Sequence, residues 1–149
     1  MEKWLAPEPG RGVRPNDPEL SPPVSEPAAH TWHHVQPDLA DDQYVFAQGG
    51  AGEPPAGVAP FAVIREDEGL TLILTRDDAD RAGLAYRYVA ARITLRVNSA
   101  LADVGLTAAF SRVLADAGIS CNVIAGLAHD HLFVPWGQGA RALALLRGL

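Results

Sequence analysis

Hydrophobic and polar positions alternate most cleanly in RITLRVN, residues 92 to 98, where Ile93, Leu95 and Val97 fall between Arg92, Thr94, Arg96 and Asn98. A period of two sends successive side chains to opposite faces, so this run predicts a strand with one buried face and one wet face. The period then changes to three and four at Leu106, Ala109, Phe110, Val113, Leu114 and Ala117, predicting a helix from about Gly105 to Ala117 that Gly118 stops. ISCNVIAG follows as a strand, HLFVP as another, and Gln138 to Arg147 as a last helix with Ala140, Leu143 and Ala144 inward.

Upstream, FAVIRE and LTLILT flank Asp67-Glu68-Gly69, two β-rich runs around a short glycine turn, and predict a hairpin. Thr75 followed by Asp78 fits a capped helix start, giving a short helix from Arg76 to about Ala82 ended by Gly83. The first ordered element is YVFAQ, residues 44 to 48, separated from the hairpin by a Gly/Pro-rich loop to Pro60. Eleven of the twelve prolines lie at or before Pro60, and residues 1 to about 37 have no hydrophobic period, so that stretch reads as a disordered or extended tail.

The second half is thus β-α-β-β-α, which lacks only a final strand to be a ferredoxin-like unit, an α+β architecture with helices on one face of an antiparallel sheet. The missing strand must come from earlier in the chain or from a second subunit. A faint echo, GLT at 69 to 71 and again at 105 to 107, each followed by Ala-Gly at 82 to 83 and 117 to 118, points weakly to duplication.

Charge separates the two halves as well. The first sixty residues carry three basic and nine acidic side chains, the remainder nine of each, so the net charge of -6 belongs to the front. A neutral folded part without a Lys/Arg cluster argues against nucleic acid and gives no reason to expect an anionic membrane surface. The start MEKWLAPEPG lacks the apolar core of a signal peptide, and no later run approaches about 18 apolar residues, so the expected compartment is the cytoplasm. Cys121 is the single cysteine and alternates with Ile119 and Val123, as a small core residue does.

FAVIREDEGLTLILTRDDAD and ITLRVNSALADVGLTAAFSRVLADAGISCNVIAGLAHDHLFVP together resemble the small bacterial tandem ACT-domain proteins, whose relatives include cytosolic arginine sensors. The resemblance runs from about residue 39 onward and rests on EGLT, VGLTAAF, GIS-N-V and HDH-FVP in combination. It implies two ferredoxin-like ACT-type units packed together, a degenerate first one at 38 to 91 and a second at 92 to 149. It further implies a regulatory or sensing role without catalysis, a small-molecule ligand, commonly an amino acid, and no cofactor.

NSALADVGLT, joining a strand to an amphipathic helix, supplies a site of matching chemistry. The first amides of that helix, near Val104, Gly105, Leu106 and Thr107, have no intrahelical acceptor and suit a carboxylate. Asp103 can hold an ammonium group, Asn98 and Ser99 can add hydrogen bonds, and Asn122 on the adjoining strand is expected on the polar side. The plainer account is nearly as good: Asp103 caps the helix, Ser99 orders the loop, and Asn122 faces water.

His129-Asp130-His131 raises the question of a metal. Two imidazoles make half a zinc site, and the remaining ligands would have to come from Cys121, an acid or the His30, His33 and His34 cluster in the tail. The better account is architectural: His129 and Asp130 form a turn and His131 opens the next strand, while the resemblance places His129 and Asp130 at a ligand-facing corner.

Enzymatic readings find little support. The loop SALADVG has no arginine to cradle a phosphate, and Ser99, Ser111 and Ser120 lack a nucleophile-elbow context. RITLRVN offers Arg92 and Arg96 but no aromatic platform for RNA. Two classes of function remain: a ligand-sensing module, and a ligand-free dimerisation or partner-binding domain of the same fold. A homodimer is expected under either, because strand edges need cover.

Overall fold

The computed structural model describes residues 35–50, 52–96 and 104–149. Its elements are β1 (Gln36–Gly49), β2 (Ala62–Glu66), β3 (Gly69–Thr75), α1 (Arg76–Arg81), β4 (Tyr86–Arg96), α2 (Leu106–Asp116), β5 (Asn122–Ala125), β6 (Asp130–Pro135), a single 3₁₀ turn (Trp136–Gln138) and α3 (Gly139–Leu146). All six strands form one antiparallel sheet in the order β2-β3-β1-β4-β6-β5.

Where the sequence leads to the expectation of two packed units, the described strands form one continuous sheet. Its two central strands are long. β1 has 14 residues and β4 has 11. The first half of β1 lies against the last half of β4, Gln36 opposite Arg96 and Leu39 opposite Ile93, while the second half of β1 pairs with both β3 and the start of β4. The strand that the β-α-β-β-α order lacks is therefore β1, from earlier in the same chain.

Helices cover one face only. Leu106, Phe110 and Leu114 of α2 and Ala142 and Leu146 of α3 pack on Ala91, Ile93, Leu95, Leu132 and Val134. Ala79 of α1 packs on Val45, Ala47, Leu70, Leu72 and Leu74. Thr75 caps α1 as its sequence predicts, accepting from the Asp78 amide at 3.2 Å. The inward face of α3 differs from the one expected. Gly139, Ala142 and Leu146 are buried, whereas Ala140 and Ala144 are exposed. Gly139 sets that phase, since a methyl group there would stand 2.7 Å from the Ala91 Cβ, so only glycine lets the helix start lie flat on β4.

The face without helices is not wet, which is the larger departure from the alternation in RITLRVN. Tyr44, Ile73, Ala90 and Phe133 are buried there, with Phe46, Phe61, Tyr88 and Ile124 packed around them, and Thr94 is only 8% exposed. Phe61, one residue before β2, explains the cover. A flat sheet would place β2 about 19 Å from β6, four strand spacings away. Yet the Phe61 ring centroid is 4.8 Å from that of His131 on β6 and 5.9 Å from that of Phe133. The sheet curls around its helix-free face, and Phe61 closes the curl.

Candidate functional site

The loop that the sequence singles out follows β4. Asn98, Ser99 and Asp103 lie outside the described residues, as do His30, His33 and His34. Helix α2 opens on Gly105, whose φ of 111° is left-handed, and among the described residues no side chain caps its first amides. Val104, Gly105 and Thr107 are exposed, whereas the Leu106 side chain is buried in the core and can offer a ligand only its backbone. The start of α2 is thus a set of solvent-facing N–H donors on a firmly anchored helix, the arrangement that suits a carboxylate.

Asn122 does not join that set. It pairs with Phe133, so its side chain lies on the helix-free face, opposite to the one α2 covers. It is exposed there. Alternation alone cannot say on which side of a sheet a helix will settle, and that is why the sequence groups Asn122 with the helix start.

His129 and Asp130 stand at the end of the sheet from which β4 leaves, since Asp130 pairs with Leu95 and with Ala125. The turn before them is tight: the Gly126 amide donates to the His129 carbonyl at 2.9 Å, and a Cβ at Gly126 would meet that oxygen at 2.7 Å. His129 Nδ1 is buried without a partner. His131 opens β6 as expected, on the helix-free face, with its Nδ1 3.1 Å from Thr94 Oγ1. Among the described residues, no group of three or more His, Cys, Asp or Glu side chains stands together as a metal site would require.

Burial lowers the His131 pKa, and the Arg92, His129 and Arg96 charges act in the same direction while Asp130 opposes them. A histidine whose folded pKa lies below its unfolded one leaves the unfolded state binding more protons as pH falls. His131 therefore contributes stability that is present above the ordinary value of 6.5 and is lost as pH falls through the window beneath it. The urea midpoint is expected to decline between about pH 7.5 and 5.5, and His131→Gln to flatten that decline. An equally steep decline in the variant would assign it to other groups.

Burial pushes the Cys121 thiol up to about 11, so it stays protonated near neutrality. The aromatic platform missing from RITLRVN does exist, built by other strands, but Tyr44 and Phe133 are too deeply buried to stack on bases.

A mixed α+β domain whose described helices lie on one face of an antiparallel sheet belongs to the ferredoxin-like class. Residues 32–91 match the ACT domain. A Vibrio cholerae protein of unknown function, described as a possible transport protein, is 44% identical over 76% of this chain and 88% of its own, with a TM-score of 0.70. An ACT domain is thus matched in the first half of the described chain, and the chain as a whole is related to the Vibrio cholerae protein. An Agrobacterium tumefaciens protein shares the fold at 19% identity over 76% of this chain and 87% of its own, TM-score 0.64. The ligand-free regulatory subunit of aspartate kinase from Thermus thermophilus shares it at 12% identity over 75% and 94%, TM-score 0.57. No curated protein matches the chain. Among the described residues no helix is long and apolar enough to cross a membrane.

Proposed function

We propose that this protein is a regulatory module without catalytic activity that binds a small molecule, an amino acid in the first place, at the loop joining β4 to α2. The observation that carries the reading is the start of α2, where among the described residues no side chain caps the amides at Gly105, Leu106 and Thr107, leaving them for a carboxylate. Asp103 would take the ammonium group, with Asn98 and Ser99 beside it and His129 and Asp130 as the neighbouring wall. The likeness to a regulatory subunit of aspartate kinase favours the same role.

The strand order also supports two overlapping β-α-β-β-α-β units. β4, α2, β5, β6 and α3 with β1 make one, in the order β1-β4-β6-β5; β1, β2, β3, α1 and β4 make the other, in the order β2-β3-β1-β4. The second of these has a loop from Gly50 to Phe61 in place of its first helix, which is the sense in which it is degenerate. On this reading both units include β1, which starts at Gln36, two residues before the boundary expected from the sequence, and the GLT echo is not an equivalence, since one copy opens β3 and the other α2.

A thermal-shift screen of the full chain against the twenty amino acids tests the proposal. A ligand at a hundredfold its dissociation constant adds about 2.7 kcal/mol, which raises the midpoint by roughly 5–10 °C. A selective shift that Asp103→Ala abolishes, with the fold intact, is the expected result. A flat screen favours the second reading, a homodimerisation or partner-binding domain, which the exposed Val63 and Ile64 of edge strand β2 and Val123 of edge strand β5 favour. The central positions of HLFVP and YVFAQ make these strands less suited to that role than the sequence suggests.

A further inference from the structure

Arg92 occupies the one place on β4 where β1 swings furthest out of register. Leu39 pairs with Ile93 and Gln43 with Ala91, so Ala40, Asp41 and Asp42 stand opposite Arg92 alone. Bulges of this kind re-aim side chains and gather beside functional sites. The Arg92 side chain turns into the concave, helix-free face, where its guanidinium carbon lies 4.6 Å from the Tyr44 ring centroid and 4.5 Å from that of Phe61.

The two rings fix the guanidinium but give its N–H edge no acceptor. Arg92 Nε is buried without a hydrogen-bond partner. Among the described residues no carboxylate lies within ion-pair distance of Arg92, whereas Arg76, Arg81 and Arg96 each have one. A buried donor left unserved is costly, and a spacer between rings would need no charge at all. What the planar fork of arginine matches is a carboxylate, taken in two parallel hydrogen bonds. Beside it the Phe61 and His131 rings meet edge to face, their centroids 4.8 Å apart, and give the guanidinium an aromatic flank.

We propose that Arg92 anchors a second binding site, on the helix-free face, for a small carboxylate with a flat apolar body. The carboxylate accepts from the guanidinium and the body packs against the Phe61 and His131 rings. The donors are held in place before any ligand arrives, which lowers the ordering cost of binding. This site is independent of the one at the start of α2, which lies on the opposite face.

Sodium benzoate is the probe, titrated into the ¹⁵N-labelled full chain while the Arg92 Nε–Hε resonance, assigned by its loss in Arg92→Lys, and the amides of Ala91, Arg92 and Ile93 are followed by NMR. The expected result is a saturable movement of these signals that sodium chloride at matched ionic strength does not reproduce, with benzoate affinity at least tenfold weaker in Arg92→Lys. The proposal is overturned if the signals do not move, if chloride moves them equally, or if Arg92→Lys binds benzoate as tightly. Should Arg92→Lys fail to fold, the amide signals of the unmodified chain still decide.

Discussion

Phe133→Ala is expected to cost about 3–5 kcal/mol, the range for deleting a buried phenyl ring from a core that cannot close over the gap. Phe133 is fully buried on the face without helices, where sequence alternation alone expects water. Its ring meets those of Phe46 at 5.3 Å and of Tyr44 and Phe61 at 5.9 Å, all three edge-on. Tyr44 and Phe46 are fixed to β1 and cannot follow the missing ring. The thermal midpoint should therefore fall by an amount on the order of 10–20 °C, read by circular dichroism. A loss below about 1 kcal/mol would show that this face contributes little and that the curl is loose.

The elements with strong local periods are legible in the sequence, and those defined by partners across the sheet are not. The β2-β3 hairpin, α1 with its Thr75 cap, and α2 with Leu106, Phe110 and Leu114 inward all stand where their patterns put them. β1 is different. Pro37, Asp38, Asp41 and Asp42 look like loop residues, yet the strand begins at Gln36. Its pairing with β4 brings Asp38 and Arg96 together, their charged groups 3.1 Å apart, and includes a bulge that absorbs Asp41 and Asp42. No single-chain pattern reveals such support, because it lies fifty-eight residues away. YRYVA, which has no clean alternation, is likewise the first half of β4.

The candidate sites divide along the same line. The helix start at Gly105 is visible from the chain alone, since it follows from the period of α2 and the loop before it. The setting of Arg92 is invisible there, because Tyr44 comes from another strand and Phe61 arrives only through the curl of the sheet. An arginine in an alternating strand reads as a solvated residue until the face it points to is known. The signal that could have raised it is the aromatic content of neighbouring runs: Tyr44 and Phe46, Tyr88 and Phe133 occupy positions of one face in strands that prove to share it, with Phe61 just before β2 packed against them.

Phe110→Ala is expected to cost a similar amount, about 3–5 kcal/mol, through the other face of the sheet. Phe110 is fully buried in the middle of α2, between Leu106 and Leu114, and packs in the cluster that includes Ile93, Leu95, Leu132 and Leu146. It shares no cluster with Phe133, which lies across the sheet. Sites without shared partners lose stability additively, to within about half a kcal/mol. Domains of this size hold only about 5–15 kcal/mol in total, so Phe110→Ala with Phe133→Ala is expected to leave the chain unfolded at room temperature where either alone remains folded. Chemical denaturation of the single variants and the circular dichroism of the double one read this directly. A double variant that folds with the stability of one single variant would mean that the two faces fail as one unit, and that β4 and β6, not the packing on either side, set the strength of the fold.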